Sequence, residues 1–268
     1  MKKYILSIDQ GTTSSRVVLY NLNFKIIDHL QKEFNQFFPK DGWVEHDAIE
    51  IWEDIKKIIK SILKKNKINA SNIASIGITN QRETTVLWDK ATGKPINKAI
   101  VWQDRRTSDF CKKYKGTKIE KEIQKITGLI IDPYFSATKI KWILENNKTA
   151  KKILKKGNLL FGTIDTWLLW NLTEGKSHLT DITNASRTML FDPIKEKWSL
   201  KLLKLFNLPL EIFPKVVENT YEFGYTKLFG AEILIGGMAG DQQSSTIGQA
   251  CFNKGQSKST YGTGCFFL

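Results

Sequence analysis

The first thirty residues constrain the fold more than any other stretch of this chain. Tyr4 to Ile8 is a short apolar run, Asp9 to Ser14 is a polar turn, and Arg16 to Tyr20 is a second apolar run. Asn21-Leu22-Asn23 turns the chain again into a third, Phe24 to Leu30. Short apolar runs punctuated by turn residues are a hairpin signature. Helix–strand alternation follows, so three opening strands argue for an α/β fold with a mixed sheet flanked by helices, not a purely parallel sheet.

The first clear helix begins at Asp47. Asp47 and Glu50 have the spacing of a capping box, and Ile51, Ile55, Ile58, Ile59 and Ile62 recur at helical intervals with lysines opposite. Ile73 to Ile78 reads as a strand leading into Thr79-Asn80-Gln81-Arg82-Glu83, and Val86 to Trp88 as another. Ala99 to Trp102 is a short apolar run. Helical patterns lie around Thr107 to Lys115, Ile119 to Ile126 and Thr138 to Glu145, then a strand from Leu159 to Ile164 and a helix from Asp165 to Leu172. Glu232 to Gly236 reads as a buried strand, Gly237 to Asp241 as a glycine-rich turn, and a helix begins near Gln242. Lys258 to Tyr261 and Cys265 to Leu268 flank a tight turn, Gly262-Thr263-Gly264.

Composition excludes several classes. With 268 residues, 25% charged and 41% hydrophobic, the chain is an ordinary globular protein, and no apolar run approaches the roughly 20 residues that span a bilayer. Cys111, Cys251 and Cys265 are scattered, as are His29, His46 and His178, so neither a disulfide framework nor a zinc site is expected, and a reduced cytoplasmic setting is. The net charge of +14 points toward polyanions, but only Arg16, Arg82, Arg105, Arg106 and Arg187 among the 41 basic residues are arginine. Base readout favours arginine forks. The lysines, such as Lys56, Lys57, Lys60, Lys64 and Lys65, fall on one side of helical patterns and read as solvated faces. Neither nucleic acid nor membrane is expected as a partner.

Chemistry is concentrated at strand ends. In Asp9-Gln10-Gly11-Thr12-Thr13-Ser14-Ser15, glycine permits close backbone approach, hydroxyls and N–H groups can nest phosphate oxygens, and an aspartate can hold Mg²⁺. Tyr261-Gly262-Thr263-Gly264 repeats the glycine–threonine theme. There is no Walker loop and no protein-kinase motif set. Arg82 and Glu83 follow a buried strand and suit polyol hydroxyls, because guanidinium only donates and carboxylate only accepts. Taken alone the pair is a surface ion pair of little worth. Trp102 offers an apolar wall or a core residue. Asp241, in a glycine-rich turn at a helix start, is either a helix cap or a general base for a substrate hydroxyl.

Taken together these segments resemble the N-terminal part of the FGGY carbohydrate kinases, which have the actin-like ATPase (ribonuclease H-like) fold. The resemblance rests on Ser7 to Arg16, Thr79 to Thr85, Val101 to Arg106, Tyr134 to Trp142, Asp181 to Phe191, Ala239 to Gln243 and Tyr261 to Phe266. The Arg82–Glu83 segment is similar to members that phosphorylate glycerol. The resemblance implies ATP-dependent transfer to glycerol, giving sn-glycerol 3-phosphate. It implies that Arg82, Glu83, Trp102, Tyr134, Asp241, Gln242 and Phe266 surround glycerol, with Asp241 the general base. Asp9 and Asp241 would serve Mg²⁺, and Thr12, Thr13, Ser14, Arg16 and Thr263 would meet the ATP phosphates. Another polyol or sugar as substrate, or a non-catalytic remnant, is the alternative.

The resemblance also divides the chain into an N-terminal kinase domain over 1–248 and the opening of a second domain over 249–268. On that reading the chain is truncated and has little activity alone. A homo-oligomer or a complementing C-terminal chain would then be its partner, and the ending Phe266-Phe267-Leu268 would be exposed and poorly soluble.

Overall fold

A computed structural model describes residues 2–262 and 264–268. Thr263, expected at the phosphates, lies outside the described residues. The opening hairpins form as read: β1 (Tyr4–Gln10), β2 (Ser14–Asn21) and β3 (Ile26–Glu33). They are followed by α1 (Ala48–Lys65), β4 (Ile73–Asn80), β5 (Val86–Asp89), α2 (Ser136–Asn146), β6 (Leu159–Gly162) and α3 (Ile164–Leu172). The last part contains α4 (Ile182–Ala185), β7 (Thr220–Thr226), β8 (Ile233–Gly240), α5 (Asp241–Gly248) and the hairpin strands β9 (Ser259–Tyr261) and β10 (Cys265–Phe267).

The main sheet has six strands in the order β7-β8-β4-β1-β2-β3. β4 runs parallel to both β1 and β8, and the outer pairs are antiparallel, which is the mixed sheet expected. Its register decides where chemistry can occur. Gln10 pairs with Asn80 and Asn80 with Gly240, so the carboxyl ends of three parallel strands stand level. Ligand sites of open α/β sheets form at such ends.

Alternation in β1 buries Leu6 and Ile8 on one face. Ile51, Ile55, Ile59 and Ile62 of α1 pack into the same cluster with Trp167 and Leu168 of α3, and each such side chain contributes about 1.5–3 kcal/mol by burial. A second cluster joins α2 to β5, β6 and the helices Ser108–Tyr114, Lys118–Thr127 and Leu200–Phe206. Lys57, Lys60, Lys64 and Lys65 are exposed on the outer side of α1, as the charge pattern implied.

Three expectations need correction. Asp47 caps α1 by accepting from the N–H groups of Ile49 and Glu50, but Glu50 does not complete the box; its carboxylate accepts from the Asn35 backbone and side-chain amides instead. The glycine run from Gly237 is not a turn but the end of β8. The strand is crowded on either side of Gly237: a Cβ on Gly236 would stand 2.7 Å from Ser75 Oγ of β4, and one on Gly240 2.5 Å from Arg82 Cδ. Finally, Phe266 is not exposed with the rest of the ending; it packs inward, while Phe267 and Leu268 stay open.

Among the described residues no helix is long and apolar enough to cross a membrane.

Candidate active site

Three strand ends deliver the polar groups of one pocket. Asp241 follows β8 directly and is the first residue of α5; Gly240, not Asp241, is the capping residue. Arg82 follows β4 by two residues. Its Nε lies 3.1 Å from Asp241 Oδ1, and its Nη1 donates to Gln243 Oε1 at 3.3 Å. Gly240 makes this approach possible, since a Cβ there would stand 2.5 Å from Arg82 Cδ. Arg82 Nε is buried and makes no well-aligned hydrogen bond among the described residues, which leaves a donor at the pocket wall.

Arg82 and Glu83 do not pair with each other. The Thr84 N–H donates to the Arg82 carbonyl at 2.7 Å, which closes a tight turn around Glu83 and holds it at φ 62°. A bulky residue in that left-handed region stores strain, a condition that concentrates at functional sites. The turn sends the Glu83 carboxylate to Arg187, whose Nε donates to Oε1 at 2.7 Å. Burial pushes the Glu83 carboxyl above its ordinary range, against the pull of the Arg82 and Arg187 guanidiniums.

Aromatic rings close the pocket. Trp102 packs edge-on to Tyr134 at 5.5 Å between centroids and to Phe266 at 6.3 Å. Burial and the Glu83 charge push the Tyr134 phenol up to about 12, so it is a neutral donor at physiological pH. The Trp102 indole N–H donates to Thr12 Oγ1 at 2.9 Å, tying this wall to the first hairpin turn. Lys139 is completely buried and donates to the Tyr134 and Phe135 carbonyls, which fixes the turn that presents Tyr134.

The pocket has a volume of about 170 Å³, room for about five waters or one small polyol. All seven residues expected around glycerol line it: Arg82, Glu83, Trp102, Tyr134, Asp241, Gln242 and Phe266. Thr12, Thr260, Gly262 and Gly264 complete it. Of the residues expected at phosphates, Thr12 is in the lining, Thr13 is exposed beside it, and Ser14 and Arg16 are both bonded to Gln31 on β3. Asp9 ends up near both Arg16, at 3.9 Å, and Asp241. Burial raises the carboxyls of Asp9 and Asp241, and the charge of Asp241 adds to the rise at Asp9. Two neighbouring oxygen-donor carboxylates, both disfavoured in their ionised form by burial, suit a hard dication such as Mg²⁺, which takes one or two protein carboxylates and completes its shell with phosphate and water.

Several participants were not singled out from sequence. Arg187 lies in a recognisable segment, but nothing local shows that it reaches Glu83. Lys258 and Thr260 precede Tyr261 and look like ordinary strand residues. Asp181 accepts from Thr183, Asn184 and Asn219, and Thr183 Oγ1 in turn accepts from the Gly240 N–H at 2.8 Å, so α4 braces the strand end that carries Asp241.

A mixed sheet opened by a polar hairpin, with level parallel strand ends on a small polar pocket, has the organisation of the actin-like ATPase fold. The profile described as the FGGY family of carbohydrate kinases, N-terminal domain, matches residues 4–248. The chain belongs to this family. It is 54% identical over its whole length to glycerol kinases of Thermoanaerobacter pseudethanolicus and Treponema denticola, and covers 54% and 55% of those proteins. The crystal structure of Plasmodium falciparum glycerol kinase with ADP superposes with a TM-score of 0.92 at 40% identity, over 98% of this chain and 53% of that one. A gluconate kinase structure from Lactobacillus acidophilus shares the fold at 24% identity and a TM-score of 0.87. The chain thus spans about half the length of the curated relatives it matches.

Proposed function

We propose that this chain carries the polyol site and part of the phosphate site of an ATP-dependent glycerol kinase, with Asp241 as general base. The observation that carries the proposal is the convergence of seven residues, from segments far apart in sequence, on one pocket of about 170 Å³. The 54% identity to proteins named glycerol kinase supports glycerol over a larger sugar.

The chemistry follows from the donors and acceptors. Arg82 and the neutral Tyr134 phenol donate to hydroxyl oxygens; Glu83 and Asp241 accept from hydroxyl protons. Trp102 and Phe266 face the carbon chain. Asp241 takes the proton of the attacking hydroxyl as that oxygen bonds to the γ-phosphorus and the bond to the ADP oxygen breaks, giving sn-glycerol 3-phosphate. Its raised pKa makes it a better proton acceptor than an ordinary carboxylate, and Arg82 keeps it aimed. Thr12, Thr13, Ser14 and Arg16 would meet the ATP phosphates, as would Thr263, and Asp9 with Asp241 would hold Mg²⁺. When bound, that ion offsets phosphate charge and favours both carboxylates in their ionised form. Residues 249–268 belong, on this reading, to the start of a second domain, and a reaction that consumes ATP fits the cytoplasm.

Titration calorimetry with glycerol tests the proposal. Saturable binding that Glu83→Gln and Arg82→Ala abolish is the expected result. A chain that ignores glycerol but binds a pentose or another polyol belongs to a different branch of the family, and the proposal is then wrong.

A further inference from the structure

Lys258 has no part in the chemistry above, yet it sits against the pocket. It is only 6% exposed, which is costly for a cation and calls for partners. Its Nζ donates to Gln242 Oε1 and, at 2.8 Å, to Thr260 Oγ1. Both acceptors line the pocket.

A lysine ammonium has donors and no acceptor. The end of the Gln242 amide that faces it is therefore the oxygen, and the Nε2 donors are directed away from Lys258. The Thr260 oxygen is likewise committed to accepting, so its proton is left for another group. We infer that Lys258 is a positioning residue that fixes the polarity of this wall, locking Gln242 and Thr260 as donors toward a substrate hydroxyl oxygen and thereby making the site select for a polyol with a hydroxyl at that point. The inference rests on the glycerol reading and deepens it. Glu83 and Asp241 supply acceptors on the same pocket. A hydroxyl both donates and accepts, so a pocket with its donors and acceptors fixed in place matches a run of hydroxyls, and a missing hydroxyl leaves a buried donor unpaired. Sites of this kind discriminate strongly against analogues that lack the hydroxyl. Without Lys258 the Gln242 amide can turn over and present either end, and that discrimination falls.

Titration calorimetry with glycerol, 1,2-propanediol and 1,3-propanediol tests this on the wild-type chain, Lys258→Met, Lys258→Arg and Gln242→Glu. The wild type should prefer glycerol to at least one diol by roughly tenfold or more. Lys258→Met should lose most of that preference, chiefly by binding glycerol more weakly. Gln242→Glu keeps an acceptor for Lys258 but has no amide donors, so it should lose the preference too, and an intact preference there overturns the inference even if Lys258→Met fails to fold. Lys258→Arg, still donor-only, should retain it. Equal weakening toward all three ligands in Lys258→Met, with the preference intact there or in Gln242→Glu, would reduce Lys258 to a support of the fold and overturn the inference. A wild-type chain that binds no glycerol overturns the proposed function itself, a result distinguishable from failure of the Lys258 lock alone.

Discussion

At the scale of single residues, arginine is the informative type. All five arginines lie beside carboxylates: Arg16 at Asp9, Arg82 at Asp241, Arg105 at Asp132, Arg106 between Asp104 and Glu45, and Arg187 at Glu83. A lysine carries the charge but not the rigid fork. Arg82→Lys is therefore expected to weaken glycerol binding by about 10- to 100-fold, the worth of one charged hydrogen bond, measured by calorimetry. Asp241→Asn should behave differently. It keeps the shape and most of the affinity but removes the proton acceptor, so phosphorylation in an enzyme with a complete cleft should fall by about 10²–10⁴. Gly240→Ala should mimic the loss of Arg82, because the added methyl needs the space of Arg82 Cγ and Cδ; retained affinity in that variant would mean the guanidinium is not positioned by this contact. Arg82, Glu83 and Asp241 could be picked out as candidates in the sequence through the family resemblance, since residue type alone left a surface ion pair and a helix cap as readings; their common place in one pocket is a finding of the structure. Their pairing was not legible, because the positive φ of Glu83 and the partnership with Arg187 depend on backbone and tertiary geometry that adjacent letters do not carry.

At the scale of elements, the opening hairpins and α1 were readable because their signals are local: alternation, turn residues and an N-cap. The end of β8 was misread because Gly237 and Gly240 look like turn residues, whereas both continue the strand, and a side chain at Gly240 would collide with Arg82. His46 shows how a buried polar residue joins such elements. Its ring lies between Gln36 and Gln81, and because Gln81 Nε2 donates to Nδ1 at 3.2 Å, the ring proton resides on Nε2 and is donated to Gln36 Oε1 at 2.7 Å. Burial lowers its pKa to about 3. An unfolded chain takes up that proton near pH 6.5, so between about pH 6.5 and 3 the unfolded state binds more protons and stability is lost as pH falls. His178, lowered to about 4, acts in the same direction. In urea unfolding between pH 7 and 4.5 the wild type should lose about 2–3 kcal/mol that His46→Gln does not, a difference unaffected by buried carboxyls such as Asp165, which is raised to about 7 and acts in the opposite direction in both chains. An equal loss in both chains would mean that His46 does not stay neutral in the fold. Packing of α1 gives a second check: Ile59→Ala should cost about 2–5 kcal/mol in the same assay, because the residue is fully buried between α1 and the sheet.

At the scale of the molecule, the pocket is a property of no single segment. β1, β4 and β8 bring their ends level, α4 braces one end, and Lys258, Thr260 and Phe266 cover the other side. Sequence order hid this, since the covering hairpin lies more than 150 residues from Arg82 and Trp102, yet Phe266 packs on both, with the Arg82 guanidinium 6.0 Å from its ring. The net charge of +14 is a surface property by comparison, carried largely by exposed lysines such as those on α1 and on the helix Lys148–Lys155. The division between the family profile, which matches 4–248, and the pocket, which needs residues up to Phe266, separates folding from binding. The two core clusters contain no residue beyond Met238, so a chain ending at Gly248 retains every side chain that packs them. Such a chain is expected to melt within a few degrees of the 268-residue form, since a loss below 1 kcal/mol shifts Tm by only about 2–4 °C at this size. Its pocket, however, loses Thr260, Gly262, Gly264 and Phe266 and stands open to water, so the proposed hydrogen bonds to glycerol would compete with solvent. Calorimetry should then show glycerol binding weakened beyond detection while the melting transition remains cooperative. Undiminished binding in the shorter chain would place the polyol on the strand ends alone and remove the covering hairpin from the site.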